Sequence, residues 1–249
     1  MIEIKNIYKS FGKSEVLKDI SAKFERGKTN LIIGQSGSGK TVLLKCLLGL
    51  YSIDHGELIY DSIHSSKMND EDKINIKKDM GMVFQGSALF DSLTVLENVR
   101  FPLDMLTKYS EKKKNEIALK FIDRVNLNDA INKLPSEISG GMQKRVGIAR
   151  AIVLNPKYLF CDEPNSGLDP KTAIVIDNLI QEITKEYNIT TVINSHDMNS
   201  VIEIGENIIF LKKGIKVWQG NNKEILDSKN IEVEDFVYSS ELVKKLKKN

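Results

Sequence analysis

The first segment whose residue types point to chemistry is Gly34-Gln35-Ser36-Gly37-Ser38-Gly39-Lys40-Thr41, which follows the Gly-x-x-x-x-Gly-Lys-Thr spacing of a phosphate-binding loop. Its glycines let consecutive backbone N–H groups turn inward around phosphate oxygens at the N-terminus of a following helix. We expect Lys40 to reach the β- and γ-phosphates of a nucleoside triphosphate and the Thr41 hydroxyl to ligate Mg²⁺. The alternative is a Gly/Ser-rich turn that only caps a helix.

An acidic pair, Asp162 and Glu163, follows the apolar run at residues 158–161. Carboxylates at the C-terminal end of a parallel strand face the crevice in which open α/β sheets bind ligands. We expect Asp162 to hold Mg²⁺, directly or through water, and Glu163 to act as general base toward the attacking water. A pair of helix N-cap residues before Pro164 is the alternative, and the presence of a phosphate loop disfavours it.

A third segment, Ser139-Gly140-Gly141, precedes a helical run at residues 142–154 that stops before Pro156. A serine and bare amides at a helix N-terminus form a second anion site, suited to a γ-phosphate. Taken alone, the same residues are an ordinary N-cap followed by a turn. The chain therefore carries two predicted phosphate-binding sites.

The elements that must position these residues follow from the hydrophobic pattern. Strands are predicted at residues 2–7, 16–24, 29–33, 57–60, 81–84, 158–161 and 190–193. Helices are predicted at residues 41–50 and about 173–187, with a helical pattern from about 93 to 154, whereas residues 64–78 are expected to be a polar surface stretch. Strands that alternate with helices predict an α/β fold with a mostly parallel sheet, and residues 86–155 are interpreted as a helical insertion into it.

The composition excludes several classes of protein. Lys and Arg number 36 against 34 Asp and Glu, a net charge of +2, so no concentrated basic surface for nucleic acid is expected. Cys46 and Cys161 lie in apolar runs and are interpreted as buried, reduced thiols rather than a disulfide or a metal site. The N-terminus lacks the layout of a signal peptide, and no run approaches the ~20 apolar residues that cross a bilayer. We therefore expect a soluble protein that reaches a membrane only through a partner.

Over nearly its whole length the chain resembles the nucleotide-binding subunit of an ABC (ATP-binding cassette) transporter. In that family Ile138-Ser139-Gly140-Gly141-Met142 corresponds to the signature motif, and Ser166-Gly167-Leu168-Asp169 to the D-loop. Met142, Ile138 and Asn165 stand where the family often has Gln, Leu and Thr. None of these departures removes a phosphate ligand or the base, so an active ATPase is expected.

Three further residues take their predicted roles from this resemblance alone. Gln85 matches the glutamine that contacts Mg²⁺ and links the site to the membrane partner, and His196 matches the switch histidine that senses the γ-phosphate. Phe11 falls where the family places an aromatic ring that stacks on adenine. The alternatives are a surface amide, a structural histidine and a core phenylalanine.

The resemblance also implies an architecture and a working unit. It implies a P-loop NTPase (RecA-like) core with a mostly parallel sheet, an N-terminal antiparallel β subdomain and an inserted helical subdomain at about residues 86–155. The ATPase domain would span residues 1–226 and a C-terminal extension residues 227–249. ATP and Mg²⁺ are the implied cofactors. A second ATPase subunit would complete each site, with ATP held between the phosphate loop of one subunit and the Ser-Gly-Gly of the other.

The segment at residues 86–103 bears on which transporter this is, because it is unusually apolar for a surface segment. It is interpreted as a groove for a cytoplasmic helix of a membrane permease, or as packing within the helical insertion. With residues 139–146 it resembles the Mla-type ATPases, which energise phospholipid trafficking across the envelope of double-membrane bacteria with a permease and an MCE-domain lipid-binding protein. That resemblance implies a location at the cytoplasmic face of the inner membrane.

Other members of the superfamily remain as alternatives. These are ATPases of amino-acid import, lipoprotein release or cell division, and a soluble ATPase of iron–sulfur assembly. The C-terminal tail, with Phe236, Val237, Leu242, Val243 and Leu246 before Lys247 and Lys248, is interpreted as a short amphipathic helix that packs on its own subunit or on a partner. Its basic end is interpreted as a solvated terminus, and contact with anionic lipid is the alternative.

Overall fold

A computed structural model describes residues 1–237. The elements in chain order are β1 (Ile2–Phe11), β2 (Ser14–Phe24), β3 (Thr29–Ile33), α1 (Lys40–Leu47), β4 (His55–Tyr60), β5 (Ile63–His64), α2 (Asp70–Lys78), β6 (Met80–Val83), α3 (Val95–Leu106), α4 (Glu111–Arg124), α5 (Gly140–Ile152), β7 (Tyr158–Asp162), α6 (Pro170–Glu186), β8 (Thr190–Ser195), α7 (Met198–Ile204), β9 (Asn207–Lys212), β10 (Ile215–Gly220) and α8 (Ile231–Val237). The chain divides into two compact units, one formed by residues 1–73 with the chain from residue 190 onward, the other by residues 74–189.

The first unit contains an antiparallel sheet with the strand order β2-β1-β4-β5. Ile2 and Ile4 are buried, and the register between β1 and β2 then shifts before Ile7. Asn6 takes a φ of 48° at this irregularity. A strand that simply alternated would place residue 7 on the face opposite Ile2 and Ile4, and the shift returns Ile7 to the buried face.

The same unit contains a parallel ladder in which β3 lies between β9 and β8, with β10 antiparallel to β9. All five residues of β3 are buried, as in a strand covered on both faces. β3 and β8 run in register from Thr29 opposite Thr191 to Ile33 opposite Ser195. The chain therefore leaves both strands at the same edge, and the phosphate loop and His196 follow there.

The second unit combines a parallel strand pair with helices. β6 and β7 pair with Val83 opposite Cys161, and α3, α4 and α5 pack on one another. A reciprocal capping box begins α3: the Glu97 N–H donates to Thr94 Oγ1 at 3.3 Å, and the Thr94 N–H donates to the Glu97 carboxylate at 2.8 Å.

The predicted α/β class with a mainly parallel core and an N-terminal antiparallel sheet is confirmed. Each predicted strand and helix is present, with ends shifted by a few residues. Residues 64–78 are mostly exposed, as expected of a polar surface stretch, and they also contain α2, which was not predicted. Three acidic residues in the first turn and two lysines in the last are favourable helix-dipole signals that periodicity alone does not detect. β5, β9, β10 and α7 were not predicted either.

Cys46 and Cys161 are both buried and unbonded, as expected. Within residues 1–237, no helix combines the length and apolarity that a bilayer span requires. The domain limits at residue 226 and at about 86–155 stay predictions. The predicted tail residues Leu242, Val243, Leu246, Lys247 and Lys248 lie outside the described residues.

Candidate functional site

The phosphate loop forms a cradle of backbone amides between β3 and α1. Gly37 and Gly39 take φ values of 77° and 103°, left-handed conformations that help turn N–H groups to one side. Gly34 has a φ of 148°, and a Cβ built there would lie 2.2 Å from the Leu211 carbonyl oxygen. Only glycine fits this position, because the neighbouring strand β9 passes too close for any side chain.

The cradle also holds groups suited to phosphate oxygens. Lys40 is buried, with Nζ donating to the carbonyl oxygens of Gly34 at 2.8 Å and Gln35 at 3.2 Å. Ser38 Oγ is buried, and within residues 1–237 it has no hydrogen-bond partner. A buried ammonium, an unsatisfied hydroxyl and convergent amides fit a bound phosphate chain better than a turn that only caps a helix. Thr41 lies exposed in the first turn of α1, where its hydroxyl is an oxygen ligand suited to Mg²⁺.

Phe11 and His196 lie in the same unit as the loop. Phe11 is 44% exposed, so the core alternative for this residue is wrong. Its ring makes an edge contact with Tyr51 at 5.2 Å between centroids, and Lys9 Nζ lies 5.4 Å from it. His196 is exposed directly after the last residue of β8. An exposed aromatic ring and an exposed imidazole are available to a ligand.

In the second unit, Gln85 and Glu163 meet beyond the C-terminal ends of β6 and β7. Gln85 Nε2 donates to Glu163 Oε2 at 3.0 Å and to Ser166 Oγ at 3.2 Å. Glu163 has a φ of 48°, an uncommon conformation for a residue with a side chain. Asp162, half-buried, is the last residue of β7. An amide that orients a carboxylate leaves it positioned to accept a proton from water.

Ser139 caps the 13-residue helix α5, and its Oγ accepts from the Met142 N–H at 3.3 Å. Gly140 is exposed, and a Cβ there would meet only Leu168 at 3.8 Å. At Gly141 a Cβ would lie 2.7 Å from Thr172 Cγ2. The N-cap interpretation is confirmed, and the exposed first turn presents the amides that an anion site requires.

Two structures were considered for the apolar segment at residues 86–103, a groove for a permease helix and packing within the helical insertion. The segment contributes to both. Val95, Val99 and Leu103 are buried in the helical packing of α3. Phe90 of the segment, with Phe84 before it and Leu106 after it, lines an open groove of about 300 Å³; the three side chains are 43%, 43% and 52% exposed. Phe101 packs its ring 4.6 Å from that of Phe90. We call this surface the apolar groove.

Sequence reasoning missed two features of the site. Lys144 and Arg150 of α5 both donate to backbone carbonyls of residues 85–88. The signal available in the sequence was the presence of these two cations on the predicted buried face of a helix. The other feature is a cavity of about 220 Å³ lined by residues 35–38 of the phosphate loop, the end of β9 and helix α8.

Helix α8 packs on its own subunit, one of the two alternatives considered for the tail. The Phe236 ring lies 5.0 Å from that of Phe210, between centroids. Glu232 forms an ion pair with Lys212. These contacts place the start of the C-terminal extension against the end of β9, beside the phosphate loop.

Comparison with known proteins places these features in a family. A model described as ABC transporter matches residues 17–166. The L-cystine import ATP-binding protein TcyC of Bacillus subtilis is 37% identical, covering 92% of this chain and 93% of that protein. The chloroplastic protein TRIGALACTOSYLDIACYLGLYCEROL 3 of Arabidopsis thaliana is 36% identical, covering 96% of this chain and 74% of that protein. A dimeric ATP-binding cassette solved in a post-hydrolysis state with ADP and Pi is 33% identical, with a TM-score of 0.79, over 89% of this chain and 99% of that one.

Proposed function

This chain belongs to the ABC transporter family as an ATP-hydrolysing subunit, and we propose that it energises phospholipid movement through a separate membrane permease. The observation that carries the proposed coupling to a permease is the position of the apolar groove. The groove is lined by Phe84, immediately before Gln85, and Gln85 donates to Glu163. A permease segment in the groove would therefore contact the backbone that orients the hydrolytic carboxylate. The proposed location is the cytoplasmic face of the inner membrane, peripheral through the permease.

When bound, ATP supplies the anhydride bond that is split, and Mg²⁺ neutralises charge that develops on the phosphate oxygens. The amides of the phosphate loop and Lys40 hold the phosphate chain. Thr41 would offer Mg²⁺ a hydroxyl oxygen and Asp162 a carboxylate oxygen, and Gln85 would be a further contact. Glu163 accepts the proton of the attacking water, and the Gln85 amide keeps its carboxylate in place.

Residues around the nucleotide complete the proposed site. Phe11 stacks on adenine through its exposed ring. His196 contacts the γ-phosphate and distinguishes the triphosphate from the diphosphate. Because one chain carries one phosphate loop and one Ser139–Gly141 turn, the second anion site is assigned to the ATP held by a second copy. The dimeric structural relative supports this arrangement. The dimer closes when both half-sites contact the γ-phosphate and opens after its hydrolysis.

The occupant proposed for the apolar groove is a short cytoplasmic helix of the permease, since an apolar helix face buries well in such a groove. Co-purification from detergent-solubilised membranes tests this. Leu106→Glu places a charge in the groove and is expected to abolish co-purification of the permease while basal ATP hydrolysis persists. The matched control is Leu119→Glu, at an exposed position of α4 that does not line the groove. Equal retention of the permease by both variants would refute the assignment, and absence of any permease with the wild type would favour a soluble ATPase.

The substrate is proposed to be a phospholipid, with an MCE-domain protein as a further partner. The resemblance of residues 86–103 and 139–146 to the Mla-type ATPases supports this, and the printed name of the Arabidopsis relative contains a glycerolipid. Amino-acid import is the second candidate, which the similarity to the L-cystine import protein favours.

Measurements on the purified permease complex distinguish phospholipid transport from amino-acid import. Lipid transport predicts phospholipid bound to the complex in detergent, measured by mass spectrometry, and co-purification of an MCE-domain protein. Amino-acid import predicts instead a substrate-binding protein that stimulates ATP hydrolysis only in the presence of the amino acid. The second result would overturn the lipid proposal.

A further inference from the structure

Helix α5 holds the backbone that follows β6 through two cations. Lys144 Nζ donates to the carbonyl oxygen of Gln85. One and a half turns later, Arg150 donates through Nη2 to the Ser87 carbonyl and through Nη1 to the Ala88 carbonyl, both at 2.7 Å. Three of the four carbonyls in residues 85–88, which we call the Gln85 segment, are therefore bonded to one helix.

The Gln85 segment needs such support, because its backbone is strained. Ser87 and Ala88 take φ values of 60° and 48° in succession, and a left-handed conformation costs a residue with a side chain about 1–2 kcal/mol. Conformations of this kind persist when the surrounding structure imposes them. Helix α5 packs directly on this segment, since a Cβ added at Gly147 would lie in van der Waals contact with Ser87, 3.6 Å from its carbonyl oxygen. The two cations therefore support this path together with the backbone hydrogen bonds from the Ser87 N–H to the Phe84 carbonyl and from the Ala88 N–H to the Gly86 carbonyl.

Lys144 is unusual among the cations of the second unit, because it is buried with only 5% of its surface exposed. Burial lowers the pKa of its ammonium, and the negative charge of Glu163 opposes that shift. Within residues 1–237, Glu163 is the one charged group with a marked influence on Lys144. The cation thus bonds the backbone of Gln85 while it lies in the field of the carboxylate that the Gln85 side chain contacts.

We propose that Lys144 is a positioning residue for ATP hydrolysis: it fixes the Gln85 backbone so that the Gln85 amide presents the Glu163 carboxylate to water. The proposal rests on the hydrolytic roles proposed above for Gln85 and Glu163. Removal of Lys144 lets the Gln85 carbonyl move. This effect acts on the chemical step rather than on nucleotide binding.

The position of Lys144 on α5 gives this arrangement a second consequence. The same helix begins at the Ser139 cap, which is assigned to the nucleotide of the second copy. It also places Arg150 over the Phe90 ring at 6.0 Å, in the apolar groove. If α5 moves at the Ser139 cap or at the apolar groove, the movement is transmitted to the Gln85 segment, because Lys144 and Arg150 are bonded to the carbonyls of that segment. Lys144 therefore connects closure around one ATP with the base that acts on the other.

A double-mutant cycle tests the proposal. Lys144→Met removes the charge and the donor with little change in volume, and is expected to lower kcat roughly 10- to 100-fold, as a small displacement of a catalytic group does. The dissociation constant for ATP should stay within about twofold of wild type, because the phosphate loop is untouched. In the Gln85→Ala background the same substitution should change kcat by less than about twofold, since the side chain that Lys144 positions is gone. Lys144→Arg keeps charge and donors, and should recover most of the activity.

A readout independent of turnover comes from amide hydrogen exchange in the nucleotide-free protein. Exchange across residues 86–89 should accelerate in Lys144→Met and remain at the wild-type rate in Lys144→Arg. The matched control is Lys114→Met on α4, which removes a cation that is 12% exposed and paired with Asp104 and Glu111 at 3.0 Å. This control should lower the melting temperature without altering kcat or the exchange of residues 86–89.

Three results would overturn the proposal. One is a kcat in the combined Lys144→Met and Gln85→Ala variant that falls by the full product of the two single losses. Another is an unchanged rate of amide hydrogen exchange in the Gln85 segment. The third is a loss of kcat in Lys114→Met equal to that in Lys144→Met. Should Lys144→Met fail to fold, the cycle is run with Lys144→Ala, which likewise removes the charge and the donor. Failure of the proposed base assignment would show separately, as normal turnover in Glu163→Gln.

Discussion

Replacing Glu163 by glutamine separates the chemical step from nucleotide binding. The side chains have the same shape, and the amide oxygen of the new residue can still accept the hydrogen bond that Gln85 Nε2 donates at 3.0 Å. The change removes the negative charge and the ability to take a proton from water. Lys144 loses the carboxylate that opposes the effect of burial on its pKa.

The expected magnitude follows from these contacts. A general base contributes about 10²–10⁴ in rate, so kcat should fall by that factor, or about 3–5 kcal/mol in activation free energy. The fold should survive, because the hydrogen-bond acceptor and the volume are retained. A stability change of about 1 kcal/mol would move the melting temperature by only ~2–4 °C in a protein of this size. Affinity for ATP should be unchanged, since the groups of the phosphate loop are untouched.

Phosphate release measures turnover, a fluorescent ATP analogue measures affinity, and size-exclusion chromatography with ATP and Mg²⁺ measures dimerisation. Glu163→Gln should bind ATP, release phosphate very slowly and accumulate as a closed dimer. Glu116→Gln, at a half-exposed position of α4, is the control for loss of one carboxylate. Turnover of Glu163→Gln within about threefold of the control would refute the assignment of Glu163 as base.

Ser139→Arg should leave ATP affinity intact but prevent the ATP-dependent dimer, because a long cation would occupy the exposed first turn of α5; a dimer on size-exclusion chromatography would contradict this. Gly34→Ala should abolish ATP binding and cost about 2–4 kcal/mol of stability, because its Cβ would lie 2.2 Å from the Leu211 carbonyl oxygen; a wild-type denaturation midpoint would count against it. Burial raises the pKa of Cys46 to about 11, so only about one thiol in a thousand is ionised at pH 8. Cys46 should therefore react with a disulfide reagent only after denaturation, and rapid labelling of the native protein would show that its burial is misjudged.

The chemistry of the phosphate loop was predictable because each of its requirements is local. Gly37 and Gly39 supply backbone conformations that other residues avoid, and Lys40 follows at the spacing that a helix N-terminus needs. Most of the core strands were likewise predictable from short apolar runs, although β9 was not predicted. The signal for α2 is weaker, since a charged helix shows little apolar periodicity.

Contacts between distant segments had no comparable signal. The hydrogen bond from Gln85 to Glu163 joins residues 78 positions apart, and it depends on the register of β6 against β7. The bonds from Lys144 and Arg150 to the Gln85 segment depend on how closely α5 approaches that segment. Sequence spacing does not encode such distances, because they are set by the packing of whole elements.

The sequence by itself determined that the chain binds a nucleoside triphosphate, because the glycine loop, the lysine and the acidic pair carry that chemistry in their residue types and local spacing. It also determined the α/β class through the alternation of apolar strands with helices. Only the tertiary structure decided that Phe11 is exposed, that part of residues 86–103 lines an open groove, and that Lys144 bonds the backbone of Gln85. The reason is physical. Local conformation follows from neighbouring residues, whereas the exposure of a side chain, the distance between two elements and the partner of a buried charge follow from the way separate elements pack together.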